Sequence, residues 1–444
     1  MKKNKIRVIS AVVSAIMLAS SASVICKFDA YNDPDGFTLG HYEVEVNQEQ
    51  RADTEKLYEQ RPKNERQFEN LSRGLIAVPG ENGTLVSWRF LGTDSNSLTY
   101  NLYCSGEKLN DKPITTTNFF HTGASTNAEY TLKEVENGEE TGVEYTTTAW
   151  DKNYIGFKVT EREGYNIDDG AVADLDGDGE YEILLRRVPS MDVNTRTSYP
   201  VIEAYKTDGT HMWTIDIGPN EINEVDINFL AYDMDGDGKA EVIMRSFEGT
   251  TDGKGNTTGD TNGDGITDYS KSESNLAIFK DRQYIVSTPE FLSIYDGETG
   301  EETDRTDLKP SKEPLSDWSY RYSDTGRLTK RASHYLFGLA YLDGVTPSVV
   351  MVRGAWDNVR AAAWHIEDGK FKEDWVHNTE NKDDVNSIWG ACNHNLVTVD
   401  VDFDGKDEIL SGPMAIDHDG SEMYAVKVYD NDGNAQKIGS WRCV

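Results

Sequence analysis

Basic residues and cysteines are scarce in this sequence. Its 444 residues include 44 Lys and Arg against 78 Asp and Glu, which gives a formal net charge of −34. Nucleic-acid binding and docking on an anionic membrane surface both need clustered positive charge, so we expect neither kind of partner. The four cysteines, at positions 26, 104, 392 and 443, are too few and too scattered to form a disulfide framework.

Long hydrophobic runs are also missing, with one exception at the start of the chain. Four basic residues between positions 2 and 7 precede an apolar stretch from Val8 to Ala19, and small residues follow it. The stretch is too short to span a membrane and is typical of a Sec-type signal peptide. We therefore expect residues 1–23 to be a signal peptide and the protein to be secreted to the extracellular space. We also expect a monomer.

Aromatic residues, in contrast, are abundant. The 9 Trp, 22 Tyr and 14 Phe supply more apolar surface than a disordered chain carries, so the protein folds. After a polar extension over residues 24–68, residues 69–160 contain short segments of alternating polarity separated by tight turns such as Asn82-Gly83. This pattern predicts a small β-sandwich domain of the fibronectin or immunoglobulin type.

An acidic phrase recurs beyond Tyr165, and such repeats are strong evidence about architecture. It first reads Asp174-Leu-Asp176-Gly-Asp178-Gly-Glu-Tyr-Glu182, and each copy runs into an apolar segment. A second phrase, in which an aromatic residue precedes an Asp-Gly turn, alternates with the acidic phrase. No stretch of the sequence has a convincing amphipathic-helix period. Repeated units of loop, strand and hairpin predict about four β-propeller blades over residues 161–444. The later copies of the acidic phrase carry Asp233, Asp235, Asp237 and Glu241, and then Asp400, Asp402, Asp404 and Glu408.

The spacing of the acidic phrase is that of a calcium loop. Carboxylates at positions 1, 3, 5 and 9 surround a glycine at position 6, and hard oxygen ligands select Ca²⁺ over metals that prefer softer ligands. A solvated acidic turn explains one such match, but not three in register with a strand repeat. We therefore expect structural Ca²⁺ in three loops. A fourth match has the same spacing without a clear strand after it, and its candidate ligands are Asp260, Asn262, Asp264 and Asp268.

The sandwich region contains Leu71-Ser-Arg73-Gly74-Leu-Ile-Ala-Val78 and Val86-Ser-Trp88-Arg89. These two motifs begin a series over about residues 70 to 440 that resembles the rhamnogalacturonan lyases of polysaccharide lyase family 11. The resemblance implies an all-β fold in which a β-sandwich domain precedes a calcium-binding β-propeller with eight blades, of which this chain would hold about half. The series continues with Asp252-Gly-Lys-Gly-Asn256, Pro289-Glu-Phe-Leu-Ser-Ile-Tyr-Asp-Gly-Glu-Thr-Gly300, Gly338-Leu-Ala-Tyr-Leu-Asp-Gly344, Met351-Val-Arg-Gly354 and Asn393-His394.

The same resemblance implies an activity, β-elimination in the rhamnose–galacturonate backbone of pectin. This reaction needs a cation on the galacturonate carboxylate and a base for the C5 proton. In the family the His of the Asn-His motif contributes to a calcium site in the central cleft, which assigns that role to His394; a histidine satisfied by the backbone is the alternative. The family's catalytic base is expected beyond Val444, so the catalytic residue stays unassigned.

Substrate-binding residues also follow from the resemblance. Family members carry cleft residues just before the first calcium loop and after its strand, and these positions hold Asp168, Arg186 and Arg187 here. Arg353 and Trp356 are further candidates, because arginine pairs with a uronate and tryptophan stacks on a sugar face. The alternative for each arginine is an ion pair with one of the many acidic residues, and for Trp356 a place in the core.

Three functions are open at this stage. The first is a secreted, calcium-dependent lyase acting on rhamnogalacturonan. The second is a non-catalytic, calcium-stabilised propeller that binds acidic plant polysaccharide, and the third is an inactive, truncated gene product. The formation of unsaturated uronate distinguishes the first from the other two, and glycan retention without it distinguishes the second.

Overall fold

A computed structural model of the chain describes most residues between positions 64 and 425. Among these residues nearly all regular structure is β-strand, which confirms the all-β prediction. No helix in the described part is both long and apolar enough to cross a membrane. The predicted signal peptide lies outside the described residues. The described residues are 24–27, 43–46, 56–57, 60, 62, 64–124, 127–190, 198–221, 228–280, 282–318, 324–354, 358–379, 387–425, 427–429 and 435–437.

Two antiparallel sheets over residues 76–148 share one core, after a short strand pair formed by β1 (Val24–Lys27) and β2 (Glu43–Val46). Their strands are β3 (Ile76–Gly80), β4 (Gly83–Ser87), β5 (Thr99–Cys104), β6 (Glu107–Lys108), β7 (Asn118–Thr122), β8 (Glu129–Glu136) and β9 (Glu139–Thr148). The sheet orders are β3–β4–β7 and β6–β5–β8–β9. Val86 from one sheet is buried with Leu102 and Leu132 from the other. The predicted sandwich requires this packing, while its immunoglobulin or fibronectin topology stays a prediction.

Four four-stranded antiparallel sheets follow, each with its strands in chain order. Sheet I contains β10 (Tyr165–Ala173), β11 (Glu182–Pro189), β12 (Val201–Tyr205) and β13 (His211–Asp216). Sheet II contains β14 (Phe229–Tyr232), β15 (Glu241–Phe247), β18 (Glu290–Tyr295) and β19 (Glu302–Asp307), with the inserted hairpin β16 (Leu276–Phe279) and β17 (Arg282–Ile285). Sheet III contains β20 (Tyr335–Ala340), β21 (Ser348–Arg353), β22 (Arg360–Glu367) and β23 (Lys370–Asn378). Sheet IV contains β24 (Val397–Val399), β25 (Glu408–Ser411), β26 (Met414–Ile416) and β27 (Glu422–Ala425), and the pair β28 (Lys427–Tyr429) and β29 (Ala435–Lys437) comes last.

Each of these sheets packs against the next through alternate residues of its central strands. In β15, Val242 and Met244 are buried against sheet I, whereas Ile243 is buried against sheet III. Sheet III repeats the pattern, since Met351 faces sheet II and Val352 faces sheet IV. Side chains alternate between the two faces of a strand, so a strand buried on both faces is a continuous apolar run. The repeat of apolar segments in the sequence therefore corresponds to a row of stacked sheets.

Helical structure is short and local. The α-helix α1 (Thr325–Ser333) begins after Asp324, whose carboxylate accepts a hydrogen bond from the Arg327 backbone N–H at 2.8 Å. Leu328 and Ala332 on its buried face pack with Trp318. This helix has only nine residues, which are too few turns to give a clear amphipathic period in the sequence. Short 3₁₀ turns cover Tyr269–Lys271, Glu273–Asn275 and Leu315–Trp318.

Candidate functional site

Three carboxylate loops join the first and second strands of sheets I, II and IV. We call them loop 1 (residues 174–181, after β10), loop 2 (233–240, after β14) and loop 3 (400–407, after β24). In sheet III the same position holds residues 341–347, which lack the acidic phrase. The fourth acidic match, loop 4 (260–268), lies in the connection from β15 to the inserted hairpin. Loops 1 to 3 thus repeat with the sheets, and loop 4 does not.

The first aspartate of each repeated loop closes the turn. Asp174 accepts hydrogen bonds from the backbone N–H groups of Gly177 and Gly179, both at 2.8 Å. Asp233 does the same with Gly236 and Gly238, at 2.7 and 3.0 Å. The glycines at these positions have positive φ, 80° and 88° in loop 1, which other L-residues rarely adopt. The loop glycines in the sequence therefore serve the turn that gathers the carboxylates.

The glutamate that starts the second strand is turned back into its loop. The backbone N–H groups of Leu175, Met234 and Val401 donate to Glu182, Glu241 and Glu408 at 2.9, 2.9 and 2.7 Å. Burial raises the pKa of these glutamates, and the neighbouring aspartates raise it further, to about 6, about 8 and about 7. Each glutamate is thus held in a site where its negative charge is poorly compensated by the chain itself.

The loops fit a hard divalent cation. One ligand atom from each of three carboxylates lies within 4.8 Å of the others in Asp174/Asp176/Asp178, Asp233/Asp235/Glu241 and Asp400/Asp402/Asp404. Among the described residues, Asp176 Oδ1, Asp400 Oδ1 and Glu408 Oε1 are buried without a hydrogen-bond partner. A buried carboxylate oxygen is costly unless a cation or donor meets it. Oxygen-only sets such as those of loops 1 and 2 suit Ca²⁺.

Loop 4 has the same local turn in a different setting. Asp260 accepts from the backbone N–H groups of Gly263 and Gly265 at 2.7 and 2.8 Å, as the first aspartate of the other loops does. Asp264 accepts from the Tyr269 hydroxyl at 2.8 Å, and Asp268 accepts from the Ser270 backbone N–H at 3.1 Å. In the described part of the chain, none of the three-member ligand groups includes Asn262 or any other loop 4 residue.

Two of the candidate substrate-binding arginines form ion pairs in sheet I. Arg186 Nε donates to Asp168 at 2.9 Å, and the two residues lie on neighbouring strands. Arg187 donates to the fully buried Glu203 at 3.0 Å and to the Thr160 carbonyl at 2.6 Å. Both guanidinium groups are mostly buried. These contacts favour the ion-pair alternative for both arginines.

Arg353 is completely buried in a charged cluster between sheets II and III. It donates to Glu290 at 2.6 Å and to the carbonyls of Ala332 and Pro310 at 2.6 and 2.9 Å. Lys312 and Arg245 also lie beside Glu290, at 3.6 and 3.2 Å. Despite desolvation, these cations hold the pKa of Glu290 at about 2. Arg353 thus contributes to the charge balance of the core, and Trp356 lies outside the described residues.

His394 is exposed in the segment before β24. Its backbone N–H donates to the Asn393 side chain at 2.8 Å, and its ring packs edge-on against His334 with centroids 4.8 Å apart. His394 belongs to none of the three-member ligand groups found among the described residues. Its role as a cleft ligand therefore stays a prediction. The ring that it contacts belongs to a second histidine, His334.

A segment that crosses the predicted boundary between the N-terminal extension and the sandwich domain contacts all three repeated loops. We call residues 64–72 the N-terminal strap. The Asn64 side chain donates to the Gly405 carbonyl of loop 3 at 2.9 Å, and Gln67 donates to the Met234 carbonyl of loop 2 at 3.3 Å. The Ser72 backbone N–H donates to the Gly179 carbonyl of loop 1 at 2.9 Å. The strap therefore fixes loops from three sheets with one stretch of chain.

Sequence reasoning also missed His418. Its ring lies beside loop 3, and one ligand atom each from His418, Asp404 and Glu408 falls within 4.8 Å of the others. His418 belongs to the turn after β26, outside the acidic phrase. Its only sequence signal is its place in Asp417-His418-Asp419-Gly420, which is typical of a turn and predicts no ligand.

Comparisons with known proteins agree on one family. The model of the C-terminal domain of rhamnogalacturonan lyase family 11 matches residues 156–442, and the model of the rhamnogalacturonan I lyase β-sheet domain matches residues 66–150. The chain is 37% identical over 382 residues to rhamnogalacturonan endolyase YesW of Bacillus subtilis (strain 168), covering 83% of this chain and 58% of that protein. It is 37% identical over 391 residues to rhamnogalacturonan exolyase YesX of the same organism, covering 84% and 60%.

Solved structures give the same result. The crystal structure of the exotype rhamnogalacturonan lyase YesX matches with a TM-score of 0.70 at 37% identity, over 82% of this chain and 59% of that one. The rhamnogalacturonan lyase PL11 of Bacillus licheniformis matches with a TM-score of 0.69 at 37% identity, over 82% and 62%. The chain thus spans about three fifths of the length of the relatives that it matches.

Proposed function

Because the chain belongs to rhamnogalacturonan lyase family 11, we propose that it is a secreted protein of the rhamnogalacturonan lyase type. Its substrate is the rhamnose–galacturonate backbone of pectin, which it cleaves by β-elimination with the help of Ca²⁺. The observation that carries this proposal is the ordered match to both family models, over residues 66–150 and 156–442. The matched relatives extend well beyond the matched region, so the activity of the whole enzyme is a proposal for this chain.

The proposed reaction removes the proton at C5 of galacturonate, breaks the bond from C4 to the leaving oxygen, and leaves an unsaturated uronate. A divalent cation on the carboxylate makes that proton more acidic. Among the described candidates, His394 is exposed, whereas Arg187 and Arg353 are almost entirely buried. We therefore assign the contact with the cation-bound uronate to the region of His394, and the three candidate arginines to ion pairs of the fold.

We further propose that the four stacked sheets are blades of a β-propeller and that loops 1 to 3 hold structural Ca²⁺. Two features support the blade arrangement: consecutive sheets share continuous cores, and the first strands of successive sheets lie next to one another. The carboxylates of loops 1 to 3 would hold the ions, and Ca²⁺ bound there would neutralise negative charge that the chain itself compensates only in part.

Ultraviolet absorbance of unsaturated uronate tests the proposed function. The purified chain is incubated with rhamnogalacturonan in the presence of Ca²⁺ or a chelator, with polygalacturonate as the substrate control. We expect absorbance to grow on rhamnogalacturonan with Ca²⁺ only, and His394→Ala to slow it more than the matched control His211→Ala, which changes an exposed histidine at the start of β13. Retention on rhamnogalacturonan without absorbance would contradict the lyase and support glycan binding, and neither signal would contradict both functions.

A further inference from the structure

The hydrogen bond between the N-terminal strap and loop 1 lies on a peptide group that also holds a candidate ligand. The Ser72 backbone N–H donates to the Gly179 carbonyl at 2.9 Å. The N–H of the same peptide group, which belongs to Glu180, donates to Asp178 Oδ1 at 2.9 Å. A hydrogen bond on one side of a peptide group polarises the group and strengthens the bond on its other side. The strap and Asp178 thus act on each other through one peptide group.

Loop 3 repeats this arrangement with a different strap residue. The Asn64 side chain donates to the Gly405 carbonyl at 2.9 Å, and the next backbone N–H, that of Lys406, donates to Asp404 Oδ1 at 2.9 Å. In both loops the bonded glycine is position 6 of the acidic phrase, and the next residue supplies the carbonyl that such a loop offers to a cation. The turn that gathers the ligands and the contact with the strap therefore share a peptide group.

Loop 2 contacts the strap near its turned-back glutamate. The Gln67 side chain donates to the Met234 carbonyl at 3.3 Å, while the Met234 backbone N–H donates to Glu241 at 2.9 Å. The same side chain lies close to Gly236, where a Cβ atom would come within 3.1 Å of Gln67 Cδ. Each of the three repeated loops is thus bonded through its backbone to a different strap residue.

Charge gives the strap a reason to respond to a cation. The half-buried Glu69 carboxylate is repelled by Asp233 of loop 2 and Asp174 of loop 1, and Arg89 offsets part of this repulsion. Positive charge bound in the two loops would neutralise the repulsion and favour the docked strap. In turn, the docked strap places a negative charge near both loops, which favours cation binding there.

The strap also joins the sandwich domain to the sheets. At sheet III, which lacks the acidic phrase, the Gln67 backbone N–H donates to the Val345 carbonyl at 2.9 Å. Arg73, which directly follows the strap, donates to Asp94 and Glu134 of the sandwich at 2.7 and 3.0 Å. A change in the docking of the strap therefore reaches the contact between the two parts of the molecule.

We propose that docking of the N-terminal strap and binding of divalent cations in loops 1 to 3 are coupled, so that each strengthens the other and the cations fix the sandwich domain to the sheets. Such coupling is reciprocal: if the ion tightens docking by some factor, docking raises the affinity for the ion by the same factor. The inference rests on the proposed Ca²⁺ sites and goes beyond them, because it makes Asn64, Gln67 and Glu69 positioning residues for the cation loops.

Hydrogen exchange of the full chain, measured by mass spectrometry in excess Ca²⁺ and in a chelator, tests the coupling. We expect Ca²⁺ to slow exchange in loops 1 to 3 and, over the same range of Ca²⁺ concentration, in the strap, where the Ser72 N–H is bonded to loop 1. Exchange that changes in the loops but not in the strap would overturn the coupling and leave the Ca²⁺ sites standing. Exchange that changes in neither would overturn both.

Ca²⁺ affinity, measured by calorimetric titration, tests the reverse direction. The double variant Asn64→Ala with Gln67→Ala removes two side-chain contacts of the strap, and we expect it to weaken Ca²⁺ binding by about fivefold or more. The matched control Asn153→Ala changes an exposed asparagine outside the strap and the loops and should leave the affinity unchanged. Equal affinities of the double variant and the parent chain would overturn the proposal.

Glu69→Gln separates the effect of charge from that of hydrogen bonding. It keeps the shape of the side chain and removes the charge, so the strap should exchange more slowly in the chelator and gain less protection from added Ca²⁺ than in the parent chain. Glu65→Gln, at an exposed position of the same strap, is the matched control and should behave like the parent. A gain of protection in Glu69→Gln as large as that of the parent would overturn the role of Glu69.

Discussion

Buried glutamates occur in two contrasting environments in this protein. Glu290, between sheets II and III, is surrounded by Arg353, Lys312 and Arg245, and its pKa is lowered to about 2. Glu241 is partly buried and Glu408 fully buried beside the aspartates of the carboxylate loops, and their pKa values are raised to about 8 and about 7. Burial raises the glutamate pKa in both environments; at Glu290 the surrounding cations outweigh this effect, whereas at the loops the aspartates add to it.

The difference shows how a chain of net charge −34 distributes its few cations. Arginine and lysine compensate the carboxylate of Glu290 in the core between the sheets. The loops gather several carboxylates each, and we propose that a cation from solution compensates them. The core should therefore be insensitive to chelators, and the loops sensitive to them.

The largest effect should come from removing Ca²⁺. At a hundredfold excess over its Kd, a bound ion stabilises the fold by about 2.7 kcal/mol, so three independent sites together give about 8 kcal/mol. We expect a chelator to lower the unfolding midpoint strongly, as measured by tryptophan fluorescence in urea. Asp235→Asn, which removes a candidate ligand of loop 2, should lose about one third of the stabilisation by Ca²⁺. An unfolding midpoint that does not respond to the chelator would contradict the role of the loops.

Glu290→Gln should give the next largest effect, by leaving three cations without their shared partner. Breaking a buried ion pair in this way costs about 3 to 5 kcal/mol. The pKa of Glu290 falls from 4.5 in the unfolded chain to about 2 in the folded protein. Its contribution is therefore complete above pH 4.5 and is lost as the pH falls towards 2.

Urea unfolding from pH 7 down to acid pH measures this effect in the presence and absence of Ca²⁺. The difference in the free energy of unfolding between Glu290→Gln and the parent chain should disappear in acid and should not depend on Ca²⁺. The matched control is Glu367→Gln, an exposed residue 3.8 Å from Lys372, which should change stability by less than about 0.5 kcal/mol. If this difference changes with the Ca²⁺ concentration, the Glu290 cluster and the carboxylate loops do not respond independently.

The sequence predicts the loops well and the charge partners poorly. The spacing of Asp174, Asp176 and Asp178 is local, so the turn can be read directly from the order of residues. The partner of Arg353 lies 63 positions away, and a single sequence does not show which of many carboxylates an arginine meets. The same limit hid the strap, since Asn64 contacts a carbonyl 341 positions away. His418 shares the difficulty, because only the packing of two turns brings it to loop 3.

Arg66 in the N-terminal strap is an intermediate case, a protein cation placed at a carboxylate loop. It pairs with Asp407 of loop 3 through two hydrogen bonds, at 2.8 and 3.2 Å, and lies over the Tyr341 ring. Arg66→Ala should cost about 1 to 2 kcal/mol, because Asp407 stays buried with fewer donors. Hydrogen exchange of the strap should increase at the same time. The exposed control Lys372→Ala should change neither the free energy of unfolding nor the hydrogen exchange of the strap. Unchanged hydrogen exchange of the strap in Arg66→Ala would show that the ion pair does not hold the strap in place.

The smallest effect is expected at loop 4, where the acidic spacing is present without the burial. Asp264 is exposed and already accepts from the Tyr269 hydroxyl, so Asp264→Asn should change stability by less than about 0.5 kcal/mol. It should also leave the Ca²⁺ response of the unfolding midpoint unaltered, unlike Asp235→Asn. The reason is that only a glutamate turned back from a buried strand brings the last carboxylate into a loop. If Asp264→Asn reduces the Ca²⁺ response as much as Asp235→Asn does, spacing alone is enough to make a site, and the packing of the following strand is not required.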